Sequence, residues 1–147
     1  MKKKTKDSKD KVFFNASVIL AGLYSPTGGS GKLLRWAKER KFKGIISEIV
    51  YDEALRHRGK IRFRKTKIEE EIATAFYKIS PAPRVLNLKY KKIVRDVGDI
   101  HVFTSAKENK VDYLVSLDKK HILSVKRKIK EFKIVSPAEL IQIIEKK

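Results

Sequence analysis

Val12-Phe13-Phe14-Asn15-Ala16-Ser17-Val18-Ile19-Leu20 sets the pattern that the rest of the chain follows. Three apolar, β-prone residues are too short a run for a helix, so Val12 to Phe14 reads as a buried strand. Polar Asn15 and Ser17 come directly after it. Ala16 to Leu23 is apolar again, until Ser25-Pro26-Thr27-Gly28-Gly29 supplies loop chemistry.

Outward from that stretch, strands and helices alternate. Ser30 is placed to cap a helix running to about Arg40, with Leu33, Leu34 and Ala37 on one face. Gly44-Ile45-Ile46 reads as a second strand, and Ser47 as the cap of a helix carrying Ile49, Val50, Ala54 and Leu55. Ile68, Ile72, Ala75, Phe76 and Ile79 are spaced as one helical stripe, which Ser80-Pro81-Ala82-Pro83 ends. Val85 to Leu88 is expected as a third, edge strand. Gly98-Asp99 opens a helix, Asp112 to Ser116 is a strand, and Phe132 to Val135 is the last strand. Ser136-Pro137-Ala138-Glu139 is a capping box with Pro at the first helical position. The expectation is an α/β domain: a parallel sheet of about five strands between two helical layers, a three-layer α/β/α sandwich.

The 147 residues hold 36 Lys+Arg against 17 Asp+Glu, a formal charge of +19. Such an excess is expected to hold polyanions, because neutralised phosphates release their counterions. At 41% hydrophobic the chain has enough apolar area for one core, which excludes a disordered basic polypeptide. Residues 1–11, with six Lys and two Asp, read as a basic disordered tail, and 12–147 as one domain. The absence of Cys excludes disulfides, thiolate zinc sites and a Cys nucleophile. No secretion signal is visible, and no apolar run nears the ~18 residues that span a bilayer, so a soluble cytoplasmic protein is expected.

In an open parallel sheet, ligands bind beyond the carboxyl ends of the strands, where the strand order switches. Asn15 follows the first strand there and Asp118 the fourth; Asp99 opens the helix before the fourth, and Glu53 lies two turns into the helix after the second. If strands one and four are neighbours, these four groups share one rim. Acids gathered there need a cation between them, and oxygen ligands favour Mg²⁺ or Mn²⁺. Taken singly, each acid has a plainer role as a helix cap or solvated residue.

Together the four segments resemble the PIN-domain family of metal-dependent ribonucleases, which includes the VapC-like toxins. The resemblance covers about residues 12–142. It rests on Val12 to Leu20, on Ser25-Pro26-Thr27-Gly28 with Lys32-Leu33-Leu34, and on Ser47 to Glu53. It rests also on Asp99-Ile100-His101-Val102-Phe103-Thr104-Ser105-Ala106 and on Tyr113-Leu114-Val115-Ser116-Leu117-Asp118-Lys119. The chain departs from the family at Asn15, where active members carry Asp. Asn keeps a carbonyl oxygen but loses a charge. That leaves open a weakened or inactive member, natural or engineered, or compensation by Asp52 or Asp96.

The resemblance implies an endoribonuclease acting on single-stranded RNA. Glu53, Asp99 and Asp118 would hold Mg²⁺ or Mn²⁺, with Asn15 a weaker ligand. Ser17 and Ser116 would orient the carboxylates, and Lys119 would position phosphate. The basic stretch Arg56, Arg58, Lys60, Arg62, Arg64, Lys65 and Lys67 could hold RNA, with Phe63 for base stacking; a solvated loop is the alternative. In the toxin branch an acidic antitoxin would mask the basic surface, and a homodimer is expected. A non-catalytic RNA-binding PIN module is the competing reading.

Other signals are declined. Gly28-Gly29-Ser30-Gly31-Lys32 lacks the first Gly of a phosphate-binding loop, where Pro26 stands, and the Ser/Thr after Lys, where Leu33 stands. His57, His101 and His121 lack metal-ligand spacing; His101 reads as a helix-surface residue, with a place close to the acidic rim as the alternative. Trp36 reads as core or partner surface.

Overall fold

The computed structural model describes residues 9–58 and 63–147. Most of the basic tail, and Lys60 and Arg62 of the basic stretch, lie outside the described residues. β1 (Lys11–Phe14), β2 (Lys43–Ser47), β3 (Lys78–Ser80), β4 (Tyr113–Val115) and β5 (Lys133–Val135) form one sheet in the order β3-β2-β1-β4-β5. Every pairing is parallel, with Phe13 aligned with Ile45 on one side and Leu114 on the other. Val12, Phe13 and Phe14 are fully buried, as a central strand covered on both faces requires.

The connections are α1 (Ala16–Tyr24), α2 (Gly29–Lys38), α3 (Glu48–Arg56), α4 (Lys65–Ala75), α5 (Leu88–Lys91), α6 (Ile100–Glu108) and α7 (Pro137–Glu145). α2 packs against α1, α4 and α7, while α5 packs against α6. The expected α/β/α sandwich with five parallel strands is present. Aromatic rings fill the core beside β1: Phe14 lies 5.9 Å from Phe42 and meets Phe76 edge-on at 5.0 Å. Trp36 is core, with Lys32 and Lys41 each 5.0 Å from its ring. The capping box of α7 forms as expected: Ser136 Oγ accepts from Glu139 N and Glu139 Oε1 accepts from Ser136 N.

Four local expectations are corrected. The third strand is Lys78–Ser80, and Val85 to Leu88 is not a strand. α4 stops at Ala75 because Tyr77 N–H bonds to Gly44 O and draws the chain onto the edge of β2, so Ile79 leaves the helical stripe for the sheet. Pro81 and Pro83 then bar further pairing on that edge. The N-cap of α2 is Gly28 rather than Ser30, which is buried inside the first turn. β1 begins at Lys11, one residue earlier than read from the sequence.

Candidate active site

The strand order places β1 between β2 and β4, so the order reverses beside β1, and the carboxyl ends of β1 and β4 are where a parallel sheet of this kind binds ligands. Asn15 sits at that point, 9% exposed. Its N–H donates to Val115 O (3.0 Å), tying the end of β1 to β4. Its Oδ1 accepts from Ser17 N (3.0 Å), which caps α1. Ser17 Oγ reaches across to accept from Leu117 N (3.2 Å), and Ser116 Oγ accepts from Asp118 N (3.0 Å). The two serines thus hold the loop that carries Asp118 against the start of α1.

Asp118 Oδ1 accepts from His121 N (2.9 Å), and its Oδ2 lies 3.2 Å from His121 Nδ1. Asp99 ends a short 3-10 turn, Val97–Asp99, and its N–H donates to Asp96 O. Asp96 Oδ1 accepts from Gly98 N (2.9 Å). Oxygen or nitrogen atoms of Asp96, Asp99 and His121 all lie within 4.8 Å of one another, a group that could hold a metal ion. Burial pushes the Asp99 carboxyl above its ordinary value; the charges of Asp96 and Asp118 push the same way, opposed by His121 and His101. Glu53 joins from α3, whose start is fixed by Ser47 Oγ accepting from Val50 N (3.2 Å). Its Oε1 lies 2.8 Å from His101 Nε2.

The charges of Asp118 and His101 thus act on Asp99, and Glu53 pairs with His101, but among the described residues neither Asp118 nor Glu53 joins Asp96, Asp99 and His121 in the metal-capable group. His101 is not a surface residue: it is 8% exposed, and its Nδ1 is buried without a partner. The sequence reading sets His101 near the acidic rim as its lesser alternative, gives His121 no role, and weighs Asp96 only as a substitute. Asp118-x-x-His121 and Asp96-x-x-Asp99 are spacings that could have drawn attention to them. Asp52 does not join; it is exposed and paired with Arg56 (3.4 Å) on α3.

The basic stretch is less free than its composition suggests. Arg56 is held by Asp52, Arg58 donates to Leu55 O (2.7 Å), and Lys67 pairs with Glu71 (3.3 Å). Phe63 is half-buried against the core and lines a cavity of about 260 Å³ with Ile19, Leu34, Ile72 and Phe76. Arg64, Lys65 and Lys119 are exposed.

Among the described residues, no Lys or Arg pairs with Glu53, Asp96, Asp99 or Asp118; their basic partners are histidines. In a chain of 36 Lys+Arg, acids crowded together without a fixed cation suit a hard divalent ion. Asp96, Asp99 and His121 form a donor set that could hold a metal ion.

No curated protein matches the chain. Among solved structures it is similar to a chain of the crystal structure of VapBC2 from Rickettsia felis bound to a DNA fragment from their promoter. The TM-score is 0.60 at 12% identity, over 86% of this chain and 98% of that one. The PIN domain family matches residues 11–120, about three quarters of the chain, from the first residue of β1 to the loop past Asp118. With that match over the segments that build the acidic rim, the chain belongs to the PIN domain family.

Proposed function

We propose that the chain is a metal-dependent endoribonuclease that hydrolyses phosphodiester bonds in single-stranded RNA, and the toxin partner of an acidic antitoxin. The observation that supports this reading is the clustering of Asp96, Asp99 and His121, with the charges of Asp118 and of the Glu53-paired His101 acting on Asp99, in a strongly basic domain. The likeness to a VapBC2 chain supports a protein partner. The site residues are assigned as follows. Asp99, Asp118 and Glu53 would hold the ion, with Asn15, Asp96 and His121 as further candidate ligands, and such an ion would lower the pKa of a bound water and polarise phosphate. Ser17 and Ser116 fix the loops that carry Asn15 and Asp118. Lys119, exposed next to Asp118, meets the phosphate.

The test is Asn15→Asp. Asp caps a helix as well as Asn does, and α1 has no acid in its first turn, so the variant should fold unchanged. Restoring the charge should raise Mn²⁺-dependent cleavage of single-stranded RNA well above that of the parent chain. No metal-dependent cleavage by a folded Asn15→Asp protein refutes the nuclease reading. RNA binding without cleavage, persisting in Asp99→Ala, instead supports a non-catalytic RNA-binding module. Asn15 favours that second reading, since it meets its capping duty without the charge a metal prefers.

A further inference from the structure

The connection from β3 to α6 has no role in the site as described, yet it ends on it. Residues 84–97 expose Val85 (78%), Leu86 (40%), Leu88 (73%) and Val97 (66%), four of the eight large apolar side chains exposed among the described residues. Between them stand Arg84, Lys91, Lys92 and Arg95, all exposed and with no acidic partner among the described residues. Asp96, at the end of this segment, belongs to the acidic rim.

The segment is not a loose loop. Tyr90 is fully buried, its ring 5.5 Å from Phe103, and its hydroxyl donates to Glu131 Oε2 at 2.5 Å. Lys89 pairs with Glu131 at 3.1 Å, Val94 is buried, and Asn87 N donates to Thr104 Oγ1 at 3.1 Å. One face is pinned to the body, and the other presents cations and aliphatic side chains.

We infer that this face of residues 84–97 is where a single-stranded RNA lies as it approaches the rim, the cations on its phosphates and the aliphatic side chains under its bases. The inference rests on the nuclease reading and names where that substrate is held. Charge favours a polyanion over a second copy of the chain, because two such faces brought together would set cation against cation. The adjacency of Arg95 to Asp96 favours RNA over a membrane, because a bilayer on this face would cover the rim.

The test is binding of a fluorescent single-stranded oligoribonucleotide, with EDTA present so that nothing is cleaved, over a range of KCl concentrations. The variant is Arg84→Gln, Lys91→Gln, Lys92→Gln and Arg95→Gln together, which leaves the Tyr90 anchor intact. The control removes equal charge at Lys107, Lys110, Lys130 and Lys133, all exposed and away from the rim. Each phosphate contact with a single strand contributes about 0.7 to the slope of log K against log salt. The variant's slope should therefore flatten by about 2 to 3, with binding at least tenfold weaker, and the control should change little. Leu88→Ser with Val85→Ser should weaken binding and leave the slope alone. An unchanged slope in the variant, or equal loss in the control, overturns the inference while leaving the nuclease reading standing. A parent chain that binds anionic vesicles but no RNA overturns both.

Discussion

Gly31→Ala probes the scaffold beneath the site. A Cβ on Gly31 would stand 2.2 Å from Pro26 O, 2.5 Å from Pro26 C and 2.7 Å from Pro26 Cα, all backbone atoms with no rotamer to yield. Ordinary contact begins near 3.4 Å, so the Ser25-Pro26 turn or α2 must shift by about 1.2 Å. Pro26 O also accepts from Arg35 Nη1 at 2.5 Å, and the shift loosens that bond. Overpacking costs about 1–3 kcal/mol. Loss of the hydrogen bond adds about 1 kcal/mol, and the helix preference of Ala over Gly returns about 1 kcal/mol. The expected net loss is thus about 1–3 kcal/mol. At an unfolding entropy of about 2.1 cal/mol/K per residue, the 147 residues give about 3 °C per kcal/mol, hence a fall in Tm of about 3–10 °C.

Gly29→Ala is the matched control. Its Cβ would meet Ile141 Cδ1 at 3.5 Å and Pro137 Cβ at 3.8 Å, both ordinary contacts. No glycine among the described residues has a positive φ, so neither substitution is strained by backbone conformation. Calorimetry or thermal circular dichroism on the two variants decides the matter. Equal melting temperatures for Gly31→Ala and the parent would refute the close approach of α2 to the turn. They would also remove the packing explanation for a glycine in Gly28-Gly29-Ser30-Gly31-Lys32.

Asp99→Asn should raise the melting temperature of the metal-free protein at neutral pH. The folded chain holds the Asp99 proton more tightly than the unfolded one, so the stability it confers is present at low pH and lost as pH rises through the raised value. The gap between variant and parent should close as the pH falls toward the ordinary 3.8, read by melting in EDTA. Mn²⁺ at tenfold over its Kd should stabilise the parent by about 1.4 kcal/mol and the variant hardly at all; equal shifts would remove Asp99 from the metal site. Glu131→Gln tests the anchor of α5. Burial works against the Glu131 carboxylate, but hydrogen bonds from Tyr90, Lys89 and the backbone N–H groups of Glu131 and Lys130 hold it down at about 2. The parent's advantage over this variant is expected above the ordinary 4.5 and should vanish as pH falls toward about 2 in an acid melting series. Ser47→Ala removes a buried helix cap from α3 and should cost about 1 kcal/mol, some 3 °C. An unchanged melt would dismiss the cap.

What the sequence showed depended on whether a residue's partners were local. β1 declared itself because a strand buried on both faces is continuously apolar. The α7 cap declared itself because both of its hydrogen bonds close within four residues. β3 was hidden because Ile72, Ala75, Phe76 and Ile79 keep helical spacing across the boundary, and only pairing with β2 takes Ile79 into the sheet. Val85 to Leu88 has strand-like composition but no strand edge to meet. In the site, each acid sat in a recognisable segment. His101 was harder to read, because its partner Glu53 comes from α3, far away in the chain, whereas His121 pairs with Asp118 only three residues before it.

The net charge and the acidic rim explain one another through the histidines. Elsewhere acids are answered by Lys or Arg: Asp52 by Arg56, Glu71 by Lys38 and Lys67, Glu131 by Lys89, Glu139 by Lys126 and Glu145 by Lys32. At the rim, where cations in such excess would otherwise be expected to collapse onto Asp99 and Asp118, none does among the described residues. Lys and Arg remain charged at neutral pH, so a fixed ion pair there would compete with a dication for the carboxylates. An imidazole can be neutral, can ligate, and can hold Glu53 or Asp118 in place without cancelling the site's charge. Under the proposed reading Asn15 lightens the same balance from the other side, keeping an oxygen and the α1 cap while leaving one negative charge fewer beside an Asp99 that burial first, and the charges of Asp96 and Asp118 after it, already raise. Restoring that charge should therefore raise Asp99 further in the absence of metal and tighten the ion when metal is present. Mn²⁺ should stabilise Asn15→Asp more than the parent chain, and a smaller stabilisation would show that Asn15 stands outside the site.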